Sequence, residues 1–134
     1  MTYTLDTNAV AAILRDNEVF VERMNYVLNQ DDRITINAMT YFETRRGLYL
    51  PTFRKKLENF EQFADLFGVL PLDTAALDVS ASIYQDLRRK GTPLEDADIL
   101  IAGIAIANDA VLVTRNTKHF ARIEGLRLED WETS

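Results

Sequence analysis

Short β-prone segments alternate with longer helical ones from one end of the chain to the other, and that alternation constrains the fold more than any other property. Strands separated by helices do not close into hairpins. They need crossover connections, which give a parallel sheet with helices on both faces. Tyr3 to Leu5 is the first strand-like piece, closed by Asp6-Thr7-Asn8, good capping chemistry for a helix from about Ala9 to Leu14. Phe20, Met24, Val27 and Leu28 recur at helical spacing, and Arg33 to Asn37 alternates polar and apolar as a strand does. A helix from about Ala38 to Leu50 is stopped by Pro51. Thr52 is placed to cap the next, whose stripe is Phe53, Leu57, Phe60, Ala64 and Phe67; Val69-Leu70 reads as a third strand.

Asp73 or Thr74 opens a long helix with Leu77, Ala81, Tyr84 and Leu87 on one face, ended by Gly91. Thr92-Pro93-Leu94-Glu95 reads as a capping box leading into a helix from Asp96 to Asn108. That helix is apolar nearly all round, so it is expected to be the central buried one. Val111 to Val113 is a buried-type strand, and Arg127-Leu128 a short last one. There is no internal repeat, linker or low-complexity segment, and the 134 residues read as one α/β domain spanning 1–134.

Composition narrows the chemistry. Without cysteine there are no disulfides, thiolate nucleophiles or cysteine zinc sites, and one histidine, His119, argues against a histidine-rich site. The longest apolar run, Ile99 to Ala107, is too short to span a bilayer. Met1-Thr2-Tyr3 is not the start of a secretory signal, so the expected location is cytoplasmic, with no membrane association. A net charge of −6 argues against nonspecific whole-surface binding to polyanions, while leaving room for a nuclease whose acids are metal ligands.

The acids carry the functional argument. In parallel α/β sheets, sites form outside the carboxyl ends of the strands, and Asp6 and Asn116 fall there. Asp6 also has a plain reading as a helix cap. Glu43 formally completes a capping box with Thr40, but Asn37 is the better cap, which puts Glu43 about a turn and a half into the helix. There it shares a stripe with Met39, Gly47 and Leu50. Asp98 lies in line with Ala102 and Ala105 on the most apolar helix, whereas Glu95 and Asp96 serve equally well as helix-dipole partners. Gathered carboxylates repel one another by roughly 4 kcal/mol per pair near 4 Å at an effective dielectric of 20. A hard divalent cation among them removes that cost, which reads as a magnesium- or manganese-dependent nuclease site.

The chain resembles the PIN-domain ribonucleases, specifically the VapC-type toxins of toxin–antitoxin pairs. The resemblance runs through Leu5-Asp6-Thr7-Asn8, Phe42-Glu43 with Gly47, and Pro93 with Asp98-Ile99-Leu100-Ile101-Ala102-Gly103. It continues through Val113-Thr114-Arg115-Asn116-Thr117 with Phe120, then Gly125-Leu126 and Glu129-Asp130-Trp131. It implies a single PIN-like domain, with Asp6, Glu43 and Asp98 as metal-binding acids and Asn116 at the fourth position, where many PIN domains carry aspartate. Asparagine keeps a carbonyl oxygen and drops the charge, which weakens the case for a second metal; Asp96 fits no family position. The resemblance further implies an Mg2+- or Mn2+-dependent endoribonuclease, a cognate VapB-like antitoxin, a homodimer, and RNA as substrate, transfer RNA being one candidate.

Arg46 beyond Glu43, and Arg115 and Lys118 around Asn116, are candidate substrate contacts. Arg88, Arg89 and Lys90 are better explained as cations at a helix C-terminus. The recurrent phenylalanines Phe53, Phe60, Phe63 and Phe67 read as core or dimer interface rather than base-stacking platforms. Other readings stay open: a housekeeping PIN nuclease, a non-catalytic PIN-like binding module, or a phosphatase of the haloacid-dehalogenase type, in which Asn8 would replace the second aspartate.

Overall fold

The computed structural model describes residues 1–132. Five strands, β1 (Thr2–Leu5), β2 (Arg33–Asn37), β3 (Val69–Leu70), β4 (Ala110–Val113) and β5 (Arg127–Glu129), form one sheet in the order β3-β2-β1-β4-β5. Every pairing is parallel. The helices are α1 (Thr7–Leu14), α2 (Glu18–Asn29), α3 (Ala38–Gly47), α4 (Arg54–Phe67), α5 (Thr74–Lys90), α6 (Asp96–Ala107) and the four-residue α7 (Thr117–Phe120). The order reverses at β1, which lies between β2 and β4 with Leu5 opposite both Ile36 and Val113. The carboxyl ends of these three strands therefore stand side by side, the place where open α/β sheets bind ligands.

Both faces are covered. On one, Leu5, Ile34, Ile36, Val111 and Val113 pack with Val10, Phe60, Phe63 and Trp131. On the other, Leu112 meets Leu87, Ile99, Ala102, Ala105 and Phe120. The strand period of two explains how β4 feeds both: Val111 and Val113 go one way and Leu112 the other. Helix α6 buries Ile99, Ile101, Ala102, Gly103, Ile104 and Ala105, so it is the central buried helix its composition predicts. Phe60 and Phe63 are core residues, as expected.

Four local expectations need correction. Helix α3 ends at Gly47, and Leu50 lies outside it and exposed. Thr52 does not cap α4: Pro51–Phe53 form a 3-10 turn that runs into the helix without a side-chain cap. Thr92 forms no capping box either. Glu95 holds the N-cap position of α6 without a side-chain bond, while the Thr92 and Gly91 N–H groups donate to Leu87 and Arg88 carbonyls and close α5. That pattern is a Schellman closure, with Gly91 at φ 69° in the left-handed region. Finally, α5 buries Ala76, Ser80, Ile83 and Leu87, and leaves Leu77, Ala81 and Tyr84 exposed. The cause is close approach to α6, because a methyl added at Gly103 would fall 1.9 Å from the Ser80 hydroxyl oxygen. Small residues at Ala76 and Ser80 permit that contact; larger ones would not.

Candidate active site

Asp6 follows the last residue of β1. Its backbone N–H continues the ladder to the Val113 carbonyl at 3.1 Å, and its Oδ1 accepts from the Ala9 N–H at 2.8 Å. The capping role is thus real, and it occupies one carboxylate oxygen. Burial pushes the Asp6 carboxyl above its ordinary value. The Ala9 N–H, the Thr114 hydroxyl, the Arg115 charge and the Asn8 N–H oppose that rise without cancelling it. Asp6 lines a cavity of about 80 Å³ shared with Asn8, Arg15, Thr114 and Arg115.

Helix α3 is fastened to the same edge by buried polar bonds. Asn37 Oδ1 accepts from the Thr40 N–H at 2.9 Å, confirming it as the cap, and its Nδ2 donates to Thr4 Oγ1 at 3.3 Å. The Thr40 hydroxyl donates to the Leu5 carbonyl at 3.1 Å, one residue before Asp6. One turn further along, Glu43 is half-buried and lines a larger, mostly apolar groove of about 380 Å³ with Thr7, Leu14, Arg15, Gly47 and Lys56.

Asp98 stands in the first turn of α6, in line with fully buried Ala102 and Ala105. Its Oδ2 lies 2.8 Å from Nε2 of His119, on α7 just beyond β4. This contact joins the start of α6 to the segment leaving β4. His119 is three residues from Asn116 in the chain, but nothing in the sequence pairs it with an acid 21 residues away. Asn116 is exposed at the head of α7; its N–H donates to Thr114 Oγ1 at 3.1 Å, and its side chain makes no capping bond. Asp96 is exposed.

Asp6, Glu43, Asp98 and Asn116 therefore follow or flank strand ends at one sheet edge, yet they do not share one cavity. Among the described residues, no three carboxylate or imidazole groups stand close enough to enclose an ion by themselves. The donors are all oxygens, which suits a hard divalent cation over zinc. An ion of that type that keeps most of its waters needs only one or two direct carboxylates. The donor set fits such an ion and not an all-protein cage.

Of the candidate substrate contacts, Arg115 is exposed and lines the Asp6 cavity, and Lys118 is exposed beside His119. Arg46 lies with its guanidinium carbon 5.3 Å from the centre of the exposed Phe42 ring and lines neither depression. Arg89 and Lys90 are engaged with Asp86, and Lys90 also with Glu124, in keeping with the helix-end reading. Arg15, which lines both depressions, carries no sequence signal beyond its position at the end of α1.

The model of the PIN domain matches residues 3–126. The chain belongs to the PIN-domain family. Its relatives include the tRNA(fMet)-specific endonuclease VapC of Shigella flexneri, 34% identical over 98% of both chains, and that of Salmonella typhimurium, 35% identical over the same shares. Among solved structures, the DNA-bound VapBC of Salmonella typhimurium aligns with a TM-score of 0.86 at 34% identity, covering 98% of each chain. VapBC2 of Rickettsia felis, bound to a promoter DNA fragment, gives a TM-score of 0.88 at 25% identity, covering 98% of this chain and 99% of that one. The match to VapC ribonucleases extends along the whole PIN domain, and the α/β fold with its parallel sheet agrees with it.

Proposed function

We propose that this protein is a VapC-type endoribonuclease, the toxin of a toxin–antitoxin pair, that hydrolyses RNA phosphodiester bonds with Mg2+ or Mn2+ held, directly or through water, by Asp6, Glu43 and Asp98. The observation that carries the proposal is the placement of Asp6: a partly buried carboxylate, its charge disfavoured by desolvation, at the switch point of a PIN sheet whose full-length relatives are VapC endonucleases. PIN-domain nucleases of the VapC type generally depend on a divalent cation. When bound, such an ion supplies charge relief on the phosphoryl oxygens and a more acidic water. Asp6 contributes the carboxylate oxygen that α1 does not use. Asp98 would hold the ion through the Oδ1 that His119 does not contact, or through Oδ2 with the imidazole moved aside, and Asn116 would offer its carbonyl oxygen to a bound water. Arg115 lowers the cost of keeping Asp6 ionised and adds a cation for substrate phosphate.

Transfer RNA is the proposed substrate class, on the strength of the two relatives whose names specify tRNA(fMet). A VapB-like antitoxin is the proposed partner, since the solved neighbours are VapBC complexes. A homodimer and a cytoplasmic location complete the proposal; among the described residues no helix is long and apolar enough to cross a membrane.

The test uses purified protein freed of co-purifying antitoxin, incubated with a total RNA pool with Mg2+ or Mn2+ or with chelator, beside the Asp98→Ala variant. Discrete cleavage that needs the metal and disappears in the variant is the expected result. Equal cleavage in chelator, or by Asp98→Ala, would refute the assignment.

A further inference from the structure

Helix α1 forms a ridge between the two depressions. On one flank Asp6, Ala9 and Ala12, three residues apart, line the smaller cavity. On the other flank Thr7, Val10, Ala11 and Leu14 line the groove that holds Glu43. Arg15 ends the helix and lines both.

Among the described residues six of the chain's lysines and arginines are paired with carboxylates, and the rest, those around this ridge among them, are not. Arg23, Arg45, Arg54, Arg89, Lys90 and Arg127 are each paired with a carboxylate. Arg15 and Arg115 in the cavity and Lys56 in the groove form no ion pair among the described residues, although the chain holds 21 acids against 15 basic residues. Asp130 and Glu132 line the same cavity, and neither pairs with Arg15 or Arg115. Three exposed cations that line these depressions beside the proposed catalytic acids, none of them ion-paired among the described residues, fit an extended polyanion. A guanidinium in particular matches phosphate oxygens two at a time.

We propose that Arg15 binds RNA phosphate, and that with Arg115 before it and Lys56 beyond, it carries the substrate backbone over the end of α1 from the Asp6 cavity to the Glu43 groove. The proposal rests on the ribonuclease reading and deepens it by naming where the strand runs. A cation at a helix C-terminus also complements the helix dipole. That role would alter thermal stability and leave RNA affinity unchanged.

The experiment measures binding of a labelled transfer RNA pool in chelator, where cleavage is suppressed, for the parent, Arg15→Gln, Arg15→Lys and Arg33→Gln. Arg33 is a matched control: exposed, without an ion pair among the described residues, and at the opposite, amino-terminal edge of the sheet. Arg15→Gln should weaken binding about tenfold at low salt, the loss of one charge-assisted contact. The plot of log affinity against log salt should become shallower by about 0.7 to 0.9. Arg15→Lys should restore most of the affinity, Arg33→Gln should match the parent, and the unfolding midpoints should agree. Equal affinities for Arg15→Gln and Arg33→Gln, loss confined to antitoxin binding, or a parent that does not bind RNA would each overturn the proposal. Cleavage with Mn2+ is read separately. A parent that binds RNA through Arg15 without cutting it refutes the nuclease reading alone; one that cuts with KM unchanged in Arg15→Gln refutes Arg15 alone.

Discussion

Replacing Asp6 separates two jobs that the structure gives to one side chain. Its Oδ1 caps α1 through the Ala9 N–H at 2.8 Å, and its charge is opposed by burial. Asparagine caps a helix as well as aspartate does, whereas alanine loses the bond and costs about 1 kcal/mol, within a range of about 0.5 to 2. At an unfolding entropy of about 2.1 cal/mol/K per residue, a chain of 134 residues loses about 3 to 4 °C for each kcal/mol. Asp6→Ala should therefore melt about 3 to 4 °C below Asp6→Asn at every pH. The comparison with the parent depends on pH. Because the folded carboxyl titrates above its ordinary value of 3.8, the folded parent takes up a proton that the unfolded chain does not until 3.8 is approached. The parent gains stability as pH falls through that window, and at neutral pH it carries the full desolvation cost. Asp6→Asn should thus melt at or above the parent at pH 7, with the gap closing as pH falls toward 3.8, while RNA cleavage is lost. Circular dichroism melts between pH 4 and 8, with and without Mn2+, supply the data. A cation present at about 100 times its dissociation constant should raise the parent's midpoint by about 2.7 kcal/mol, close to 10 °C, and have little effect on Asp6→Asn. If Asp6→Asn melts as low as Asp6→Ala at pH 7, or if Mn2+ stabilises it as much as the parent, the reasoning fails.

Three further outcomes follow from particular contacts. Gly103→Ala should lower the midpoint by up to about 7 °C, since its methyl meets Ser80 Oγ at 1.9 Å and the Ala76 carbonyl oxygen at 2.8 Å, and overpacking of about 1 to 3 kcal/mol, less a gain of about 1 in helix propensity, leaves a net cost of up to about 2. Gly47→Ala, which meets nothing within 4 Å, should leave the midpoint unchanged or raise it, and equal melting of the two variants would contradict the packing argument. His119→Ala should lower the Mn2+ concentration needed for half-maximal cleavage by up to about fivefold, because a partly exposed pair contributes about 0 to 1 kcal/mol and the imidazole would no longer compete with a cation for the Asp98 carboxylate; a higher requirement would show that His119 positions the carboxylate instead. Trp131→Ala should cost about 3 to 5 kcal/mol, roughly 10 to 18 °C, as the ring is 1% exposed and packs 6.4 Å from Tyr3 and 6.3 Å from Phe20; a calorimetric loss under 1 kcal/mol would show that the carboxyl-terminal residues do not close the core.

What the sequence discloses and what it hides divide along the range of the interaction involved. Strand β2 from Arg33 to Asn37, the Asn37 and Asp73 caps, and the Gly91 stop are written in residues within four positions of one another, and each lies where the pattern puts it. The buried face of α5 is not local. Leu77, Ala81, Tyr84 and Leu87 form the more apolar stripe, but the neighbour that selects the face is Gly103 on α6, more than twenty positions away, which admits Ala76 and Ser80 and excludes bulk. The site shows the same division. The position of Asp6 at a strand end is local and readable. The bond between Asp98 and His119, and the sharing of Arg15 by two depressions, depend on how α6, α7 and α1 dock, and no spacing in the chain records them.

The edge that carries the acids is held rigid by groups other than the acids. Thr4, Thr35, Asn37 and Thr40 are completely buried under it. The Thr35 hydroxyl donates to the Tyr3 carbonyl at 2.7 Å, and Asn37 and Thr40 bind β1 to the first turn of α3. Unpaired polar groups at such depth are costly, so a network in which each finds a partner fixes one arrangement of β1, β2 and α3. Asp6 enters this framework through one oxygen and Glu43 through none of the bonds just named. An acid that supplied those bonds would be needed for folding and would have no lone pairs left for a cation. Because amides and hydroxyls bear most of the structural load, Asp6 can stay partly desolvated with one oxygen left by the α1 cap, the condition in which a divalent ion gains most by binding it. The rise in the Asp6 pKa is the electrostatic trace of that division of labour.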